Sequence, residues 1–111
     1  MGNTPQACVD AALAEGASII GANCGTGIEN YTGLAQELCS MKKAPVWIKA
    51  NAGLPELVGK ETVFKQTADE YAGFIPELLD SGVSVVGGCC GTNPDFVKAM
   101  RRELDRWLAG R

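Results

Sequence analysis

The 111-residue chain contains no histidine. That excludes Ser-His-Asp and Cys-His triads, HExxH zinc sites and imidazole general bases. Any zinc site here must be built from sulfur and oxygen donors. Positive charge is also scarce: ten Lys and Arg against thirteen Asp and Glu give a net charge of −3. No basic run or aromatic-plus-Arg cluster offsets that balance, so neither nucleic acid nor an anionic membrane is expected as a partner. Long apolar runs are missing as well, and nothing approaches the ~20 residues that span a bilayer. Residues 1–6 show no positive region followed by an apolar one, so no signal peptide is expected. Five cysteines is an odd count, and two of them are neighbours. Together these features favour a reduced, cytoplasmic protein with a metal or catalytic site over a disulfide scaffold.

What is present is a chain able to form a core, with 46% hydrophobic residues and room for one domain or less. Thr4 caps a helix with Pro5 at its first position, ending at Gly16. Residues 17–22 form a short apolar run that reads as a strand buried on both faces. A second helix is expected from about Glu29, with Tyr31, Leu34, Ala35, Leu38 and Cys39 on one stripe. Residues 45–50 read as a second strand opened by Pro45, and 51–66 as a loop. Thr67 and Glu70 form a capping box for a third helix, which Pro76 should bend. Residues 83–87 give the third strand. Asn93 and Pro94 then open a last helix, expected to bury Val97, Met100, Leu104, Trp107 and Leu108. Arg101, Arg102 and Arg106 suit its solvated face.

The order is α-β-α-β-α-β-α, and strands separated by helices pair in parallel. Three strands are few for a sheet covered on both sides, so the chain reads as part of an α/β barrel.

Chemistry concentrates at the strand ends. Cys24 follows the first strand within Asn23-Cys24-Gly25, and Cys89 and Cys90 follow the last within Gly87-Gly88-Cys89-Cys90-Gly91-Thr92. In a parallel barrel those ends share one rim, where thiols distant in sequence can meet. Three converging thiolates make a zinc site with an open fourth position. Glycines around the pair strip away side chains, and the helix start that follows favours thiolate. Two other readings stand beside this one. The vicinal cysteines can be small buried residues of a tight turn. Alternatively, residues 25–27 or 87–92 can cradle a phosphate before a helix, although neither matches GxGxxG or GxxxxGK[ST]. Cys8 and Cys39 fall on helical stripes and read as core, and Trp47 and Trp107 as packing residues. Asn51, opening Asn51-Ala52-Gly53-Leu54-Pro55 after the middle strand, is a third rim feature. Asn23, beside the first thiol, is a candidate substrate contact.

These three motifs, in this order and spacing, closely resemble the homocysteine S-methyltransferase family, above all its cobalamin-dependent branch. The resemblance runs over nearly the whole chain. It implies the last three βα units of a partial (β/α)8 TIM barrel, preceded by one helix. Residues 1–111 would then be the C-terminal portion of a homocysteine-binding zinc barrel. It implies Zn²⁺ on Cys24, Cys89 and Cys90, with Asn51 an exchangeable oxygen ligand when substrate is absent. Ala50 stands where the family often has Pro. The early strands, which in the family hold the amino-acid end of homocysteine, have no counterpart here. The implied reaction is methyl transfer to homocysteine or a similar small thiol, giving methionine, with methylcobalamin supplied by another domain or protein. The alternative is a non-catalytic zinc-binding half-barrel that assembles with itself or with a separate N-terminal half.

Overall fold

A computed structural model describes residues 4–110, with the backbone alone at Thr26. Residues 1–3, part of the segment read for a signal peptide, and residue 111 lie outside the described residues. The elements are α1 (Pro5–Ala14), β1 (Ile20–Gly27), a 3₁₀ turn (Ile28–Asn30), α2 (Thr32–Ser40), β2 (Val46–Asn51), β3 (Pro55–Val58), β4 (Glu61–Phe64), α3 (Ala68–Ala72), α4 (Ile75–Ser81), β5 (Val85–Gly88) and α5 (Pro94–Ala109).

The caps act as the sequence predicts. The Thr4 hydroxyl accepts from the Ala7 amide, and Thr67 and Glu70 complete a reciprocal capping box. Asn93 accepts from the amides of Asp95 and Phe96. Each satisfies helix-start donors that would otherwise have no intrahelical partner.

The third expected helix is two. The first segment ends at Ala72 and Pro76 enters the opening turn of the next, where its missing N–H costs nothing. The expected 51–66 loop contains the antiparallel hairpin β3–β4, turning at Gly59 with φ +64°. On α5 the buried face is Phe96, Ala99 and Met100, with Leu104 and Trp107 half-buried. Val97 and Leu108 are exposed, contrary to the expected stripe, because the helix turns Phe96 rather than its neighbour toward Tyr71 of α3.

Strands β1, β2 and β5 form one parallel sheet in the order β1-β2-β5. Along β2, Val46, Ile48 and Ala50 are buried, while Trp47 is exposed and Lys49 half-buried. The buried set joins Ile20, Leu38, Tyr71, Ile75, Leu78 and Phe96 in one core. The opposite face, with Trp47 and Val85, is open. The expected burial on both faces is therefore not met: helices cover one side only. Trp47, read as a packing residue, is accordingly 42% exposed, with the Lys49 ammonium 5.9 Å from its ring centroid. No helix among the described residues is long and apolar enough to cross a membrane.

Candidate metal centre

β1 runs further than expected, carrying Cys24 within the strand rather than after it. Its pairing with β2 steps from Cys24↔Ala50 to Gly27↔Asn51, so residues 25 and 26 bulge out of register. Cys24 has φ 57°, a left-handed backbone uncommon for a side-chain-bearing residue. The Tyr31 hydroxyl holds the bulge, lying 3.0 Å from the Asn23 carbonyl and 2.9 Å from that of Cys24. Burial pushes the Tyr31 phenol up, which keeps it a proton donor. A side chain on Gly25 would run into that hydroxyl.

The vicinal pair is tied to β2 atom by atom. The Cys89 amide donates to the Ala50 carbonyl at 2.9 Å, and the Ala52 amide donates to the Cys90 carbonyl at 2.9 Å. The Thr92 hydroxyl closes the turn onto the Cys89 carbonyl at 2.6 Å. Tyr71, wholly buried, donates to the Gly87 carbonyl at 2.6 Å and accepts from the Ala50 amide at 3.1 Å. A proline at position 50 would lack that amide donor. Burial is the main cause that pushes the Tyr71 phenol up to about 12.

The result is convergence. The sulfurs of Cys24, Cys89 and Cys90 all lie within 4.8 Å of one another, two half-buried and Cys90 exposed. Cys24 and Cys89 are joined as a disulfide with Cα atoms 5.4 Å apart, and Cys90 keeps a free thiol. Once that pair is reduced, three thiols face one point. Tetrahedral zinc at ~2.3 Å from each sulfur separates its ligands by about 3.8 Å. In number and chemistry the donor set fits a sulfur-rich zinc centre.

Asn51 is 6% exposed beside the cluster. Its Nδ2 donates to the Gly25 carbonyl at 2.9 Å and its Oδ1 accepts from the Cys90 amide at 3.1 Å. Asn23 is exposed, its Nδ2 3.3 Å from the Cys24 sulfur. Cys8 is exposed rather than core, and Cys39 is half-buried with its thiol pushed up by burial. Neither belongs to the cluster.

The sequence pattern of the homocysteine S-methyltransferase family matches residues 1–104. The chain belongs to that family. Its relatives include the methionine synthase of Mycobacterium leprae (strain TN), 38% identical over 95 residues. That alignment covers 82% of this chain and 8% of the relative. The methionine synthase of Mycobacterium tuberculosis (strain ATCC 25618 / H37Rv) is 38% identical over 89 residues, 77% of this chain and 7% of the relative. The selenocysteine Se-methyltransferase of Brassica oleracea var. italica is 26% identical over 107 residues, covering 93% of this chain and 31% of the relative. The chain thus spans less than a tenth of the two methionine synthases and about a third of the plant enzyme.

Sequence reasoning missed the work of Tyr31, placed only on an apolar stripe, and of Tyr71. The available signal was chemical. A tyrosine on a buried stripe carries a hydroxyl that needs a partner, and here the partners are carbonyls at the strand ends.

Proposed function

We propose that the chain is the zinc-binding part of a thiol S-methyltransferase: the last three βα units of a (β/α)8 barrel, with Cys24, Cys89 and Cys90 as the metal ligands. One observation carries this reading, the gathering of three sulfurs from two strand ends into a 4.8 Å cluster in a member of this family. Bound zinc would lower the pKa of an incoming thiol and leave it a nucleophilic thiolate at neutral pH. The thiol proton passes to solvent, so the absence of histidine is no obstacle. The thiolate so formed would be the nucleophile toward an activated methyl group. An S–CH₃ bond would form as the bond between methyl and donor broke, its electron pair staying with the donor. Homocysteine is the proposed acceptor, and methylcobalamin, presented by another domain or protein, the proposed donor. Asn23, exposed and with its Nδ2 3.3 Å from the Cys24 sulfur, is the proposed contact for the acceptor.

A second reading is favoured by the sheet itself. β1 and β5 are its edge strands, and Trp47 and Val85 lie exposed on its open face. Open edges and faces of this kind are suited to pairing with further strands, so the chain would be a zinc-binding half-barrel, not catalytic by itself, that assembles with a second copy or a separate N-terminal half.

The test is metal analysis of the reduced chain, with its mass in solution, followed by methyl transfer from methylcobalamin to homocysteine. One zinc per chain, lost on substituting any of the three cysteines by serine, is expected. Activity of the chain alone supports the first reading. Activity only after adding an N-terminal half supports the second. Absence of zinc under reducing conditions would sink both.

A further inference from the structure

Among the described residues Asn51 is the one buried residue with an amide or charged side chain, and both ends of its carboxamide are committed. We propose that Asn51 is a positioning residue, a clamp that joins the Cys24 bulge to the Cys89–Cys90 turn and so sets the spacing of the three thiols. The proposal rests on the metal-site reading above for its purpose, but on hydrogen-bond geometry for its content.

Neither Gly25 nor Cys90 has a ladder partner, and although the Cys90 carbonyl accepts from the Ala52 amide, the Cys90 amide is left for a side chain. The register step between Cys24 and Gly27 takes Gly25 out of ladder pairing with β2. The paired residues of β5 end at Gly88, opposite Ala50, two positions before Cys90. A side chain at the end of the central strand reaches both, donating to the Gly25 carbonyl at 2.9 Å and accepting from the Cys90 amide at 3.1 Å. These partners are the residue after Cys24 and a member of the vicinal pair. The clamp therefore fixes the cysteine backbones relative to each other, independently of any bond between the sulfurs.

The chemistry selects asparagine. The task needs one donor and one acceptor on a short planar group. Aspartate offers no donor to Gly25, alanine offers neither, and glutamine is longer by a methylene.

The experiment uses the full chain, reduced, as wild type, Asn51→Ala and Asn51→Asp, with folding checked by circular dichroism. The first readout needs no metal: residue-resolved amide hydrogen exchange. The wild-type Cys90 amide should be protected. In Asn51→Ala its exchange should accelerate at least tenfold, while the Ile20 amide, bonded to the Pro45 carbonyl at the far end of the sheet, holds its rate. Asn51→Asp, isosteric and still an acceptor, should keep Cys90 protected. The second readout is titration with cobalt(II) alone, followed through sulfur-to-metal charge-transfer absorbance. Both variants should bind at least tenfold more weakly. The Asn51→Ala band should fall by about a third as one thiolate drops out. An unprotected wild-type Cys90 amide would overturn the clamp without recourse to a variant. So would unchanged cobalt affinity and band intensity in Asn51→Ala, or tighter binding by Asn51→Asp, which would mark residue 51 as a ligand instead. If wild type takes up no cobalt while the exchange results hold, the metal reading fails and the clamp stands.

Discussion

The Tyr71 hydroxyl donates to the Gly87 carbonyl at 2.6 Å and binds both the amide and the carbonyl of Ala50 at 3.1 Å. One phenol thus stitches the ends of β2 and β5 together from the helix side, directly beneath the cysteine turn. Replacing it by phenylalanine keeps the ring and its 5.4 Å edge contact with Phe96 but leaves buried backbone groups short of a partner. Tyr71→Phe should destabilise the fold by about 1–3 kcal/mol. Urea denaturation should show a lower midpoint with an unchanged slope.

The same phenol predicts alkaline behaviour. Its ordinary value is 10.0, and in the folded chain it is pushed up to about 12, burial being the largest cause. A raised folded value means the stabilisation is complete below about pH 10 and is lost as pH rises toward 12. Phenolate absorbance at 295 nm, with Tyr71→Phe as the difference partner, should place this titration above that of an ordinary tyrosine. A Tyr71 signal that saturates near pH 10 would contradict the burial argument.

Phe64, at the end of the hairpin, fills the space that a side chain on Gly91 would need, and Gly91 itself has φ +81°. Gly91→Ala therefore meets two costs, backbone strain and a clash, together about 1–3 kcal/mol. Adding Phe64→Ala should relieve the clash but not the strain. In thermal melts the two substitutions should combine less than additively. Additivity would mean the hairpin and the cysteine turn are not in contact.

The cysteines should separate by reactivity. Cys8 is exposed, Cys39 is half-buried with a raised thiol pKa, and Cys90 is exposed within the cluster. In the reduced, zinc-loaded chain, iodoacetamide should label Cys8 first and Cys39 slowly. Chelation should add rapid labelling at Cys90, read by mass spectrometry of peptides. Equal labelling of Cys90 with and without zinc would remove it from the proposed ligand set.

The caps were legible because their signals are local: Thr4-Pro5, the Thr67–Glu70 box and Asn93-Pro94 each bond within three residues. The three thiols were legible through the rule that parallel strand ends share a rim, which the β1-β2-β5 order obeys. Other features were not local. The hairpin hides among exposed residues such as Leu57 and Val58, where no buried face enforces alternation. On α5 the reading held for Met100, Leu104 and Trp107 but not for Val97 and Leu108, because 3.6-residue periodicity leaves Phe96 and Val97 nearly interchangeable until packing on Tyr71 decides. The committed carboxamide of Asn51 depends on a bulge that no spacing in the sequence announces.

At Cys24 the backbone sits at φ 57°, where a glycine would rest with less strain and a serine would not. Cys24→Gly should therefore yield a sturdier fold than Cys24→Ser, and yet neither would hold metal. At this one residue, the proposed sulfur ligand and a relaxed backbone pull in opposite directions.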